Sequence, residues 1–259
     1  MIEIDNLYKS FGPKVVLDGV SLNIPEGDST CIIGKSGSGK SVLLKHIVGL
    51  LEPDSGTVKV DTKQIDKLDR KELFALRRQM GFVFQGAALF DSLNVFENTV
   101  LGMYEHGNRN LAELEKEAIR VISAVQLLPD IEEVGEVQFI KEWEILKNKK
   151  PSDLSGGMRK RVGVARALVG NPKYIFYDEP TTGLDPVTSE QIDDLIAELS
   201  NKLNVTSVII THDMFSVFRI AKTVAMIHDG KLRYNGDVEG IKNSKDEVVA
   251  EFIERFVRG

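Results

Sequence analysis

The sequence is poor in several things, and each shortage narrows what it can be. Among 259 residues there is one cysteine, Cys31, so no disulfide can form within the chain. Set in the apolar run Ser29-Thr30-Cys31-Ile32-Ile33, it reads as a small core residue, which fits a reducing cytoplasm. Nowhere do 18 apolar residues follow one another, so no membrane-spanning helix is expected. The start Met1-Ile2-Glu3-Ile4-Asp5 has no basic stretch leading into an apolar one, and no signal peptide is expected. Cations are the minority charge, 33 Lys and Arg against 39 Asp and Glu, for a net charge of −6. That balance gives no general electrostatic reason to bind nucleic acid, whose affinity rests on Lys and Arg at the phosphates. Repeats and low-complexity tracts are absent, and the single tryptophan, Trp143, is expected to be a packing anchor. What remains, 42% hydrophobic and 28% charged, is the composition of a globular chain with a sizeable core.

What is present begins with Gly34-Lys35-Ser36-Gly37-Ser38-Gly39-Lys40-Ser41, a complete match to the phosphate-binding pattern G-x-x-x-x-G-K-[ST]. The glycines let successive backbone N–H groups turn inward on phosphate oxygens, Lys40 adds a point charge and Ser41 a hydroxyl for Mg²⁺. The context agrees. A short buried strand precedes the loop, and Val42, Leu43, Ile47, Leu50 and Leu51 follow at helical spacing. The helix start adds its own partial positive charge.

The residues before the loop read as short strands at 2–4, 15–17 and 20–24, broken by Phe11-Gly12-Pro13 and Pro25-Glu26-Gly27. Strands are expected again at 57–60 and 80–84, the latter ending at Gln85. From 93 to about 122 the periodicity is helical. Residues 129–150, acidic first and basic last, read as a solvated surface excursion. The run Tyr174-Ile175-Phe176-Tyr177-Asp178-Glu179 is a buried strand delivering two carboxylates to a sheet edge, with Asp178 placed to hold Mg²⁺ opposite Ser41. A helix at 186–203 and strands at 207–211 and 223–228 complete a β-α alternation that argues for a P-loop α/β core. His46 reads as a helix-face residue and His228 as a strand-end one.

With Leu154-Ser155-Gly156-Gly157-Met158 added to this set, the chain resembles the ATP-binding cassette (ABC) ATPases along nearly its whole length. The resemblance implies an antiparallel β subdomain, a RecA-like core and an inserted helical subdomain at about 87–166, within an ATPase domain of residues 1–243. It implies that Phe11 stacks on adenine and that Gln85 touches Mg²⁺ and reports to a membrane partner. Glu179 would activate the attacking water, and His212 would contact the γ-phosphate. Gly183-Leu184-Asp185 resembles the D-loop, and Ser155, Gly156 and Gly157 the signature that meets ATP across a homodimer. ATP and Mg²⁺ would be bound by residues 34–42, ending at Val42, together with Ser41, Gln85 and Asp178.

Three stretches resemble the ATPases of Mla-type and other Mce-protein phospholipid transporters. They are Phe84-Gln85-Gly86-Ala87-Ala88-Leu89-Phe90 with Asn94-Val95-Phe96-Glu97-Asn98, the continuation Met158-Arg159-Lys160-Arg161, and the end of the chain. Residues 245–258 read as a helix whose Val248, Val249, Phe252, Ile253, Phe256 and Val257 share one face, against Glu251, Glu254, Arg255 and Arg258. In that family a C-terminal extension (here 244–259) helps the dimer; packing on its own subunit is the other reading. The family implies a peripheral subunit on the cytoplasmic face of the inner membrane. Its partners would be integral permease subunits, reached through Ala87, Ala88, Leu89, Phe90 and Leu93, and an Mce-domain lipid-binding protein. An ATPase for another solute is the alternative.

Overall fold

Alternating apolar residues near the start build a hairpin. Strand β1 (Ile2–Phe11) buries Ile2, Ile4 and Leu7, and β2 (Lys14–Ile24) buries Leu17, Val20, Leu22 and Ile24. The sequence reading broke this region into three short strands. The structure joins them into two long ones, because Gly12, at positive φ, needs only a tight turn to reverse the chain. The polar residues in between lie on the other face of the hairpin. The computed structural model describes residues 1–257, with backbone alone for 255–257. The apolar-face assignments of Phe256 and Val257, and that of Arg255, therefore fall outside the described side chains, and Arg258 lies outside the described residues.

Strands β3 (Ser29–Ile33), β4 (Ser55–Val60), β5 (Lys63–Gln64), β6 (Met80–Val83), β7 (Tyr174–Asp178), β8 (Thr206–Ile210), β9 (Thr223–His228) and β10 (Lys231–Asp237) follow in the chain. They divide between two sheets. The first is antiparallel in the order β2-β1-β4-β5, and the second runs β10-β9-β3-β8-β7-β6. In the second, β9, β3, β8, β7 and β6 are parallel, and only β10 is antiparallel to its neighbour. Its central strands are buried on both faces, so they read as continuous apolar runs. Cys31, Ile33, Ile175 and Tyr177 enter one core while Ile32, Tyr174 and Phe176 enter the other. The antiparallel sheet and α1 (Lys40–Ile47) cover the second of these cores; α2 (Arg70–Arg77) adds Leu76. His46 lies on the inward face of α1 and is buried within this core, and its Nδ1–H donates to Val42 O at 2.8 Å.

Between β6 and β7 the structured chain is helical: α3 (Val95–Glu105), α4 (Leu111–Ala124), α5 (Ile131–Val134), α6 (Glu136–Lys147) and α7 (Gly156–Leu168). Side chains at Asn94, Asn110, Asp130 and Ser155 cap four of these helices, and Asn94 completes a capping box with Glu97. The single helical stretch expected from 93 to 122 is thus two helices, separated at Gly107. The excursion expected at 129–150 is a correction of greater weight, since α5 and α6 occupy it. Trp143 is 2% exposed, donates from Nε1 to Glu115 at 3.0 Å and meets Phe96 edge-on. Trp143 and Leu146 anchor α6 to the core, while α5 stays at the surface.

The remaining helices are α8 (Pro186–Leu203), α9 (Met214–Ile220), α10 (Val238–Lys242) and α11 (Glu247–Val257). Helix α11 packs on α10 and β10 of its own chain, burying Val249, Phe252 and Ile253, with Val248 half-buried. The strands expected at 207–211 and 80–84 each lie one residue away from, or end one residue short of, the expected limits.

Candidate functional site

The phosphate loop leaves the C-terminal end of β3, between β9 and β8, where a parallel sheet opens a crevice. Its backbone explains its glycines. Gly34 sits at φ 147°, and a Cβ there would fall 2.2 Å from Ile227 O. Gly39 precedes α1 at φ 104°, a conformation that side chains resist. Lys40 is 7% exposed and folds back over the loop, donating to Gly34 O at 2.8 Å and Lys35 O at 3.1 Å. Burial lowers its pKa, while Glu179 and Asp178 oppose that shift. The ammonium is held over the place where the loop curls.

The loop forms the floor of a cleft of about 740 Å³. Gly34, Lys35, Ser36, Gly37, Gly39, Lys40, Ser41 and Val42 line it, and Phe11, Gln85, Asp178, Glu179 and His212 reach it from four other parts of the chain. Within the loop, Ser38 is the exception. Its hydroxyl is buried without a partner and turned toward Gly34, and its N–H donates to Lys35 O at 3.1 Å. Ser38 therefore closes the turn and does not line the cleft. Phe11 stands about half exposed at the end of β1, open to a stacking partner.

The two carboxylates arrive as the β7 strand predicts, but the chain turns sharply between them. Glu179 has φ 50°, and its N–H donates to Ile210 O at 2.9 Å, which pins the turn to β8. Asp178 Oδ1 accepts from Ser41 Oγ at 3.4 Å. Burial raises the Asp178 pKa, the Ser41 bond lowers it, and the neighbouring Glu179 charge raises it again. A cation beside it would relieve both penalties. Glu179 accepts from Thr182 Oγ1 at 3.1 Å and from His212 Nδ1 at 2.8 and 2.9 Å. A carboxylate only accepts, so Nδ1 carries a proton and donates it to Glu179. The donor set of a hydroxyl, a carboxylate and an amide suits Mg²⁺. No cluster of three His, Cys, Asp or Glu among the described residues could hold a metal alone, so phosphate and water would have to complete the shell.

Ser155, Gly156, Gly157 and Asp185 do not reach this cleft. They line a separate pocket with Leu184, Thr188 and Arg161. Ser155 Oγ caps α7 by accepting from Met158 N at 3.2 Å. Asp185 caps α8, and the Thr188 hydroxyl and N–H hold its carboxyl below the usual range.

Several residues at the site carry no signal in the sequence. Lys14, Val16 and Phe252 line the main cleft, brought there by β2 and by α11. Lys160 donates to Gln85 O, and Arg166 donates to Ala87 O at 2.7 Å and Ala88 O at 2.8 Å. These cations of α7 hold a left-handed turn, with Ala87 at φ 60° and Ala88 at φ 46°. Ala87 is buried against Gly163 and cannot line a docking groove as expected. Ala88 and Phe90 are exposed, and Leu89 and Leu93 are half-buried.

The pattern of the ABC transporter family matches residues 17–182. Over 97% of its length the chain is 34% identical to the probable ribonucleotide transport ATP-binding protein mkl of Mycobacterium tuberculosis, of which it spans 66%. It is 38% identical to the methionine import ATP-binding protein MetN of Carboxydothermus hydrogenoformans, over 99% of this chain and 72% of that one. It is 36% identical to the intermembrane phospholipid transport system ATP-binding protein MlaF of Haemophilus influenzae, over 98% of this chain and 90% of that one. Among solved structures it is similar to the ATP-binding cassette MJ0796, a dimer in a post-hydrolysis state bound to ADP and Pi. The TM-score is 0.76 at 34% identity, covering 92% of this chain and 99% of that one. It is also similar to cbiO1 of Clostridium perfringens, part of the ABC transporter complex cbiONQ, with TM-score 0.80 at 30% identity, covering 99% and 96%.

Proposed function

The chain belongs to the ABC transporter family and has the fold of its ATP-binding cassettes, and from that premise we propose that it hydrolyses ATP to drive a membrane permease. One observation carries the reading. Lys40, Ser41, Gln85, Asp178, Glu179 and His212, scattered over more than 170 positions, converge on one cleft floored by the phosphate loop. Phosphoryl transfer asks a protein to position groups and stabilise charge, and this set does both. The loop and Lys40 would hold the phosphates, and Ser41, Gln85 and Asp178 would hold Mg²⁺, which would supply charge neutralisation to the phosphates. Glu179 would take the proton of the attacking water. His212, bonded to Glu179, would orient it and present Nε2 to the γ-phosphate, and Phe11 would stack on the base.

The signature turn lies in its own pocket, so each ATP would be clamped between the phosphate loop of one chain and residues 155–157 of a second. Residues 1–243 would form this ATPase unit, with the helical segment at about 87–166 facing the permease and 244–259 as an extension. Among the described residues no helix is long and apolar enough to cross a membrane; membership of the ABC transporter family supports a peripheral subunit at the cytoplasmic face.

For cargo, we favour phospholipid of the Mla/Mce kind, with an Mce-domain protein in the complex. Of the three relatives, MlaF is matched over the largest share of its own length, 90%, and the Q-loop residues 84–98 carry the same resemblance. The 38% identity to MetN supports a second reading, import of a small polar solute. Purifying Glu179→Gln protein from mildly solubilised membranes with ATP and Mg²⁺ separates them by mass spectrometry of the co-purifying material. A permease with an Mce-domain protein and phospholipid upholds the first; a permease with a solute-binding protein replaces it with the second.

A further inference from the structure

Helices α8 and α9 each begin at a loop of the proposed machinery. Asp185 caps α8, and Asp213, next to His212, caps α9 by accepting from Phe215 N at 2.9 Å. Where the two helices pack, an acid is buried. Asp193 of α8 is 3% exposed, and its Oδ2 accepts from Ser216 Oγ of α9 at 2.7 Å; Ser216 is wholly buried. Asp193 Oδ1 has no partner. Nearer the solvent, Arg219 of α9 reaches back to two acids of α8, Glu190 at 2.5 Å and Asp194 at 2.6 Å.

Stability does not account for this acid. Burial pushes its carboxyl up to about 6, the Ser216 bond opposes that shift, and the Asp213 charge adds to it. A well-packed apolar side chain would join two helices without desolvating a carboxylate or orphaning an oxygen. The exposed pairs of Arg219 contribute little. What the buried bond supplies is direction, since a hydrogen bond fixes rotation and register where apolar contact tolerates sliding. It acts four residues from His212, which lies just before the α9 cap Asp213 and whose ring rests on Glu179.

We propose that Asp193 is a positioning residue, which through Ser216 locks α9 to α8 and so holds His212 on Glu179 in register with the Asp185 loop. The inference rests on the ATPase reading, and it concerns the alignment of the water-activating pair rather than ATP binding. Asp193 and Ser216 line neither the main cleft nor the pocket of the signature turn.

The test uses the full chain as wild type, as Asp193→Leu/Ser216→Ala, and as Asp193→Asn, which keeps an acceptor for Ser216. Four quantities are measured: kcat and KM for ATP, the thermal midpoint, and the ¹⁵N imidazole signal of His212, assigned by its loss in His212→Ala. The double variant is expected to melt at or above the wild-type temperature, with KM within twofold. Its kcat should fall roughly tenfold or more, as for a reacting group displaced from a distance, and the His212 signal should move. Asp193→Asn is expected to recover most of kcat. Unchanged kcat and an unmoved His212 signal in the double variant would overturn the proposal. So would a kcat loss that follows a lowered melting temperature and is not recovered by Asn. If the wild type lacks ATPase activity while the His212 signal still moves, the ATPase reading fails and the positioning role stands.

Discussion

Two loops of this chain end at a helix start, 34–41 at α1 and 154–157 at α7, and they differ in their company. The first stands among a buried ammonium, a hydroxyl, two carboxylates and an imidazole. The second stands with Leu184, Thr188 and Arg161, and the one acid beside it, Asp185, is taken up capping α8. Both offer N–H groups to an anion, but only the first can activate water. On the proposed reading the second would hold a phosphate and do nothing further to it, and a chain with one loop of each kind would carry two unlike halves of a site.

The sharpest way to break that comparison is at Glu179. Glu179→Gln should keep ATP binding and lower turnover by roughly 10²- to 10⁴-fold, the range for a lost general base. Single-turnover hydrolysis at the wild-type rate would remove the chemical distinction between the loops. A smaller effect separates the halves themselves. Lys40→Ala should weaken ATP binding by about 10- to 100-fold, the worth of a charge-assisted bond, whereas Ser155→Ala should leave the affinity of isolated protein unchanged and still lower turnover. Mixed together, the two variants should regain activity, because a hybrid dimer contains one intact pair of loops. No recovery on mixing would mean that the loops do not serve one ATP between them.

The smallest expected effect tests the scaffold that both loops share. Burial raises the Asp61 pKa, but bonds from Tyr174 OH, Lys173 and the N-terminal amine outweigh it and lower it to about 2. A carboxyl depressed in the folded state stabilises above its unfolded pKa, and the contribution disappears as pH falls through the folded value. Linkage alone would set it near 2 kcal/mol, and solvent screening of a partly exposed group reduces that to about 1 kcal/mol. The stability gap between wild type and Asp61→Asn, from urea unfolding, should therefore be present at pH 5 and close between about pH 4 and 2. A gap independent of pH would show that the asparagine acts through packing.

Much of this arrangement was legible in the sequence, for identifiable reasons. The phosphate loop and β7 announce themselves because local chemistry dictates them: glycines where φ must be positive, and a buried strand that ends in acids. Helix α11 follows from the periodicity of its apolar face, and α8 from its place in the β-α alternation. The fold of residues 129–150 was hidden, because α5 and α6 are short and highly charged, and only Trp143 and Leu146 of α6 are buried. Lys14, Val16 and Phe252 were hidden because tertiary packing, not local pattern, carries them to the cleft. The same holds for Lys160 and Arg166, which as residues of a basic helix gave no hint that they clasp the carbonyls beyond Gln85. Ser38 failed in the opposite direction, since it matches the loop pattern while its hydroxyl turns away from the cleft.

Strand β3 has one more consequence, on the scale of time. All five of its residues are buried, and it is flanked by parallel partners on both sides. Such a strand opens only when the whole molecule unfolds. The loop that rises from it can therefore admit and release ligand many times within the lifetime of one folded chain. Its foundation does not age with each cycle.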